Sequence, residues 1–273
     1  MRTPDRRSHP RDRGSPRFEL GYGEVGRLNA MKSGLQHRIK PDWPQRLKDI
    51  LDRAASVGPS AVLAFDLDST VFDNRPRQAR IVREFGSFAQ LPQLSKCVPE
   101  YFDSGWDLSA ALRNCGLAQE DIKRVSPELR KFWFERFFTS AYCSEDVAVK
   151  GAMEFLLAAV KTGATVCYVT GRHEGMREGT LVAMRRCGFP LPGGLTRLIM
   201  KPDPQLGDDE FKRQAHAELA RIGRVIAAFE NEPMHANDYL CTFPQATVFH
   251  LATDHSGRPV ELLEAIVSLP SFA

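Results

Sequence analysis

The chain has 273 residues, 42% hydrophobic and 26% charged, which excludes wholesale disorder and leaves room for one or two domains but no long repeat array. A formal net charge of +3 is too small to demand a nucleic-acid partner. The excess sits in residues 1–40, which hold ten Lys or Arg against four Asp or Glu, so the remainder is slightly acidic. The longest apolar run, Phe155 to Val160, is far too short to cross a bilayer, so no membrane partner is expected. No apolar h-region stands near the start. The six cysteines are dispersed, the closest pair being 18 residues apart, so no zinc knuckle or redox pair is formed by spacing. Reduced thiols in a cytoplasmic protein are the expectation.

In chain order, residues 1–30 are dominated by Arg, Pro, Gly and Ser without apolar period, and read as a disordered basic arm. Trp43, Leu47, Ile50, Leu51 and Ala54 recur at helical spacing, with Pro44 in the first turn and Gly58 at the stop, predicting a helix over 43–56. The continuous apolar run SAVLAFDLD then reads as a strand buried on both faces. Four similar runs follow at 164–170, 195–200, 224–230 and 246–251. Helical patterns separate them, marked by Phe155, Leu156 and Ala159, by Leu181 and Met184, and by Phe211, Ala215 and Leu219. Strands alternating with such helices imply an α/β fold with a Rossmann-like, five-stranded parallel sheet. One interval breaks the rhythm. Residues 76–148 are helix-like and far longer than a crossover needs, so they read as a helical cap inserted after the first strand. The core is then 42–75 together with 149–265.

In open α/β sheets ligands bind at the carboxyl ends of the strands. Those ends carry Asp66, Asp68, Ser69 and Thr70; then Thr170, Gly171 and Arg172; then Lys201; then Glu230, Asn231 and Glu232; then Asp254 and His255. Two carboxylates as close as Asp66 and Asp68 repel, and a hard divalent cation with oxygen ligands relieves them. An Asp carboxylate is also a competent nucleophile toward phosphorus, and a second one can carry a proton to the leaving group and from water.

The stretch Phe65-Asp66-Leu67-Asp68-Ser69-Thr70 resembles the first motif of the haloacid dehalogenase-like (HAD) superfamily, and Val169-Thr170-Gly171-Arg172 resembles its second. The resemblance covers residues 60–255 and implies a HAD-like core, a mobile cap, Mg²⁺ and phosphate-ester hydrolysis. A second Asp two after the first marks phosphatases rather than dehalogenases. By position, the resemblance makes Asp66 the nucleophile and a metal ligand. Asp68 becomes the general acid and base, its backbone carbonyl a further ligand. Thr170, with Gly171 and Arg172, holds the phosphoryl group. Two lysines compete for the third motif. Lys201 directly follows the third strand, and Lys212 lies early in the helix begun by GDDEFK, a pattern similar to the polynucleotide 3′-phosphatase branch and the one favoured here. The fourth motif departs from the family, with Glu230 and Asn231 at the acid positions and Glu232 next to them.

Arg75, Arg77 and Arg80 read as a solvated helix face, and Phe132, Trp133, Phe134, Phe137 and Phe138 as plain cap core. The expected activity is Mg²⁺-dependent hydrolysis of a small phosphorylated metabolite. A nucleic-acid end-processing phosphatase is the second reading, with nucleic acid a less favoured partner. A non-catalytic phosphate-binding or regulatory protein on the same fold is the third.

Overall fold

The computed structural model describes residues 34–273, and the arm expected over residues 1–30 lies outside them. Helix α1 (Trp43–Val57) leads into strand β1 (Ala61–Phe65). A two-residue strand β2 (Phe72–Asp73) follows, then four helices, α2 (Arg75–Phe88), α3 (Leu108–Asn114), α4 (Gln119–Phe137) and α5 (Ser140–Cys143). Strand β3 (Val147–Ala148) closes this stretch by pairing antiparallel with β2. The chain then alternates: α6 (Ala152–Lys161), β4 (Thr165–His173), α7 (Arg177–Arg186), β5 (Thr196–Lys201), α8 (Asp208–Ile222), β6 (Arg224–Glu230), α9 (Pro233–Thr242) and β7 (Thr247–Leu251). A last strand, β8 (Val267–Leu269), ends it.

The main sheet is fully parallel, in the order β5-β4-β1-β6-β7-β8. The α/β class and parallel, Rossmann-like sheet expected from sequence are therefore present, with six strands rather than five. The sixth is only three residues long and follows an irregular stretch instead of a helix, so no βαβ rhythm announces it. With it, Leu269 and Phe272 join the core beyond residue 265.

The unbroken apolar strands follow from two-sided burial. Along β1, Ala61, Leu63 and Phe65 pack on one face, among residues of α1, α6 and α7, while Val62 and Ala64 pack on the other, with α8 and α9. The period of two that separates those faces is set by the pleat. At the site end, Phe65, Phe229 and Phe249 stand opposite one another on β1, β6 and β7. Their rings form a stack with centroid distances of 4.5 and 4.7 Å and interplanar angles of 2° and 5°. Each is the residue before a strand-end polar group: Asp66, Glu230 and His250. A slip of one residue in any of these pairings would turn that polar group to another face.

The stretch between β2 and β3 has a buried cluster of its own, built on Ala79, Val82 and Phe85 of α2 and Val125, Leu129 and Phe132 of α4. Phe229→Ala should empty the centre of the ring stack and destabilise the protein by about 3–5 kcal/mol, read as a shift in the urea unfolding midpoint. A loss below about 1 kcal/mol would show that the stack does not hold this edge of the sheet.

Candidate active site

Asp66 continues β1 by one residue, its N–H donating to Phe229 O at 2.9 Å. The chain then turns tightly. Leu67 O accepts from the N–H groups of Thr70, Val71 and Phe72, and Ser69 adopts φ 58° in the left-handed region. This turn carries Asp66 and Asp68 to one small volume, as their spacing led us to expect.

Lys212 comes up from α8 beneath them. Its ammonium donates to Asp66 Oδ1 at 2.6 Å, Glu230 Oε2 at 2.8 Å and the Val169 carbonyl at 2.9 Å. All three protons are used, and all the side chains involved are buried. Burial opposes the charge on Lys212, but Asp66 and Glu230 hold it well above its ordinary pKa. Glu230 has its ordinary burial penalty outweighed by Lys212, and its carboxyl is lowered. Burial first, then the Glu230 charge, push Asp66 up to about 7 against the pull of Lys212. The trio carries two acids and one base, so one acid lacks a countercharge in a dry place, and a proton or a cation must supply it.

Lys201 lies elsewhere. Its ammonium pairs with Asp208 Oδ1 at 2.6 Å, at the start of α8, and does not reach Asp66. Thr170 is fully buried and its hydroxyl accepts from the Arg172 N–H, while Gly171 borders the cavity described below. Arg172 departs from the expectation that it grips substrate. Its guanidinium turns away from the cavity to Asp68, Asp146 and Thr180, because the buried Asp146 offers it a second carboxylate. Arg77 of α2 meets the same pair, and it is fully buried rather than on a solvated face. Arg75 is likewise buried on Asp73, whereas Arg80 is partly exposed on Glu84 and Glu145. Burial alone would raise the Asp68 carboxyl. The charge and hydrogen bonds of Arg172, with Arg77 beyond, bring it down to about 2.

The metal ligands expected were Asp66, Asp68, Glu230 and Asn231. Glu230 has little left to give, since Oε2 takes Lys212 and Oε1 takes the N–H groups of Asn231 and Glu232. Asp66 Oδ2 and Asn231 Oδ1 are different. Both approach the Thr70 hydroxyl, at 3.1 and 3.2 Å, and that hydroxyl has one proton for two acceptors. A hard cation suits the oxygen left over and can replace the proton as countercharge to Asp66, so the residues fit such an ion through Asp66 and Asn231. No cluster of three or more His, Cys, Asp or Glu side chains placed to hold a metal occurs among the described residues, which leaves backbone and amide oxygens to complete a shell.

Asp66, Asp68, Lys212 and Asn231 border a cavity of about 450 Å³. The stretch between β2 and β3 contributes Gln78 of α2, Trp106 of the loop before α3, and Trp133, Phe137 and Phe138 around the end of α4 to its lining. Of the five aromatics read as plain core, only Phe132 is buried in the insertion's core, and Phe134 is exposed. Gln78 and Trp106 went unnoticed in the sequence, where neither carries a spacing signal. Asp254 also lines the cavity, and its carboxylate accepts from the Gly105 N–H.

No protein-family model matches the chain, and no curated protein does. Among solved structures it is similar to a class C acid phosphatase from Bacillus anthracis with tungstate bound, at 14% identity over 74% of this chain and 68% of that one, TM-score 0.45. It is similar to CbbY from Rhodobacter sphaeroides in complex with phosphate, at 16% identity over 79% and 95%, TM-score 0.44. A HAD hydrolase of family IA, variant 3, from Entamoeba histolytica HM-1:IMSS stands at 13% over 78% and 93%, TM-score 0.44. Overlaps this slight decide nothing about chemistry, which must come from the site itself.

The raised Asp66 makes a pH prediction. Its pKa is about 7 folded against 3.8 for the free side chain, so the metal-free folded protein holds an extra proton between those values. Stability from this group is therefore present at low pH and lost as pH rises from about 4 to 7. His216 and His250, lowered to about 4 by burial first, give an opposite slope that wild type and variant share. In chelator-treated protein, Asp66→Asn should gain on wild type in urea unfolding as pH goes from 5 to 7.5. A constant difference would contradict the raised carboxyl.

Proposed function

We propose that this chain is a HAD-like phosphohydrolase that cleaves a phosphomonoester through an aspartyl-phosphate on Asp66. The observation that carries the reading is the buried Asp66 carboxylate held by the Lys212 ammonium on the floor of a cavity. An isolated acid so buried would be neutral, and Lys212 supplies the countercharge that lets it act as a nucleophile. An Asp66 oxygen bonds to phosphorus as the bond to the leaving oxygen breaks. The leaving oxygen takes a proton from Asp68. Water then attacks phosphorus, the bond to Asp66 breaks, its proton returns to Asp68, and inorganic phosphate departs.

Asp68 borders the cavity with about a third of its side chain exposed, 35%. Its depressed pKa suits the second half-reaction, where it accepts a proton. For the first half it must arrive protonated, which requires Arg172 and Arg77 to release it. Arg172 is thus a positioning residue. The Gly171 backbone and the fully buried Thr170 shape the phosphoryl seat. Asp66, Asn231 and the Asp68 carbonyl would hold Mg²⁺, which would supply positive charge to the phosphoryl oxygens. Glu230 acts through Lys212. Residues 76–148 form the cap that closes over the substrate.

A small phosphomonoester is favoured over a nucleic-acid end. Seven carboxylates line the cavity against three Lys or Arg side chains, a poor seat for a polyanion. No helix among the described residues is long and apolar enough to cross a membrane.

Asp66→Asn should abolish turnover in a folded protein, measured as phosphate release from a panel of phosphomonoesters with Mg²⁺; retained activity would sink the covalent route. Lys212→Ala should lower kcat by about a hundred- to a thousandfold, while Lys201→Ala, which loses only a contact to Asp208, costs little. A reversed order would make Lys201 the catalytic lysine.

A further inference from the structure

We infer that the leaving group of the substrate carries a planar aromatic ring system, which stacks on the aromatic lining formed by Trp106 and the Trp133–Phe137 pair. The inference rests on the phosphomonoester reading and names the class of ester. Three observations carry it.

The first is the aromatic part of the lining in the cavity that Asp66 and Lys212 border. Trp133 and Phe137 stack at 4.6 Å and 20°, and Phe138 stands edge-on to both, at 84° and 80°. Trp133 and Phe137 are only half-buried, so part of their surface is turned to the cavity. Aromatic faces in a cavity attract another ring, offset or stacked, beyond what their area alone provides.

The second is the spent polar atom. The Trp133 indole N–H donates to Gln78 Oε1, which leaves this tryptophan no hydrogen bond to offer a ligand. What it presents is apolar surface.

The third is Trp106. It is 62% exposed, unusually open for so large a side chain, and it stands at the cavity. Its position is imposed by the backbone before it. The Gly105 N–H donates to Asp254 Oδ2 at 2.7 Å, and the Gly105 carbonyl accepts from Gln78 Nε2 at 3.0 Å. A Cβ at 105 would meet Gln78 Nε2 at 2.6 Å, so the loop runs as close to its partners as glycine permits. Gln78 therefore ties both tryptophans to one side chain, accepting from Trp133 and donating beside Trp106. An exposed indole on a fixed loop and stacked rings, bordering one cavity, make a seat for a flat group.

Stacking on one aromatic side chain changes affinity about five- to a hundredfold. The experiment compares kcat/KM for phenyl phosphate, adenosine 5′-monophosphate and glycerol phosphate, with Mg²⁺, in the full chain. Both ring-bearing esters, the aryl ester and the alkyl ester that carries a purine, should exceed glycerol phosphate at least tenfold. Trp106→Ala should shrink that ratio by about fivefold or more, and so should Trp133→Leu; Trp106 is exposed, so its variant remains informative even if Trp133→Leu fails to fold. A ratio near one, or a ratio that neither substitution alters, overturns the inference while leaving the phosphatase reading intact. If no ester is hydrolysed the phosphatase reading fails, and calorimetric binding of phenyl phosphate against glycerol phosphate to the Asp66→Asn protein still decides. A tenfold preference for the ring supports the seat, and equal affinity refutes it.

Discussion

One ammonium organises this molecule. Lys212 Nζ sits where the ends of β1, β4 and β6 converge, and it bonds to one acceptor from each: Asp66, the Val169 carbonyl and Glu230. Burying two carboxylates and a lysine costs several kcal/mol per ion, and only complete pairing recovers it. Lys212 finds its three acceptors because the Phe65, Phe229 and Phe249 register sets Asp66 and Glu230 side by side, and because α8 packs Phe211, Ala215 and Leu219 against the sheet. Packing thus determines where the charge sits, and the charge determines what Asp66 can do.

A second buried ion cluster stands behind the first. Arg77 and Arg172 share Asp68 and Asp146, two positive and two negative groups with little access to water apart from Asp68. Asp146 binds both arginines, so it sets how tightly either one holds Asp68. The arrangement joins α2, the residue before β3, the end of β4 and the turn after β1. It ties Asp68 to both ends of the stretch between β2 and β3.

Much of this was legible in the sequence where a simple period or spacing governs. Two-sided burial writes continuous apolar runs, and these located five strands. The Asp-Leu-Asp turn located Asp66 and Asp68. The preference for Lys212 over Lys201 rested on the likeness of GDDEFK to a helix of the polynucleotide 3′-phosphatase branch, and the structure puts Lys212 against Asp66. Other features had no local signal. β8 is three residues long and depends on β7 for its pairing. Arg77 and Arg172 looked like a surface face and a phosphate grip because their partner, Asp146, is distant in sequence. Gln78 and Trp106 matter through a loop held by Asp254, 149 residues from Gly105. Long-range polar pairing writes no pattern into neighbouring residues.

The two-residue ladder of β2 and β3 has a consequence for the protein's history. Phe72 faces Ala148 and Asp73 faces Val147, so the chain leaves the sheet and returns to it through a single narrow doorway. Closing a loop grows more costly only logarithmically with its length. The sheet therefore feels the presence of the insertion far more than its size. Segments beyond the doorway can lengthen, shorten or be exchanged while the strand ends stay aligned, which makes the aromatic part of the cavity lining the part of this protein most open to change.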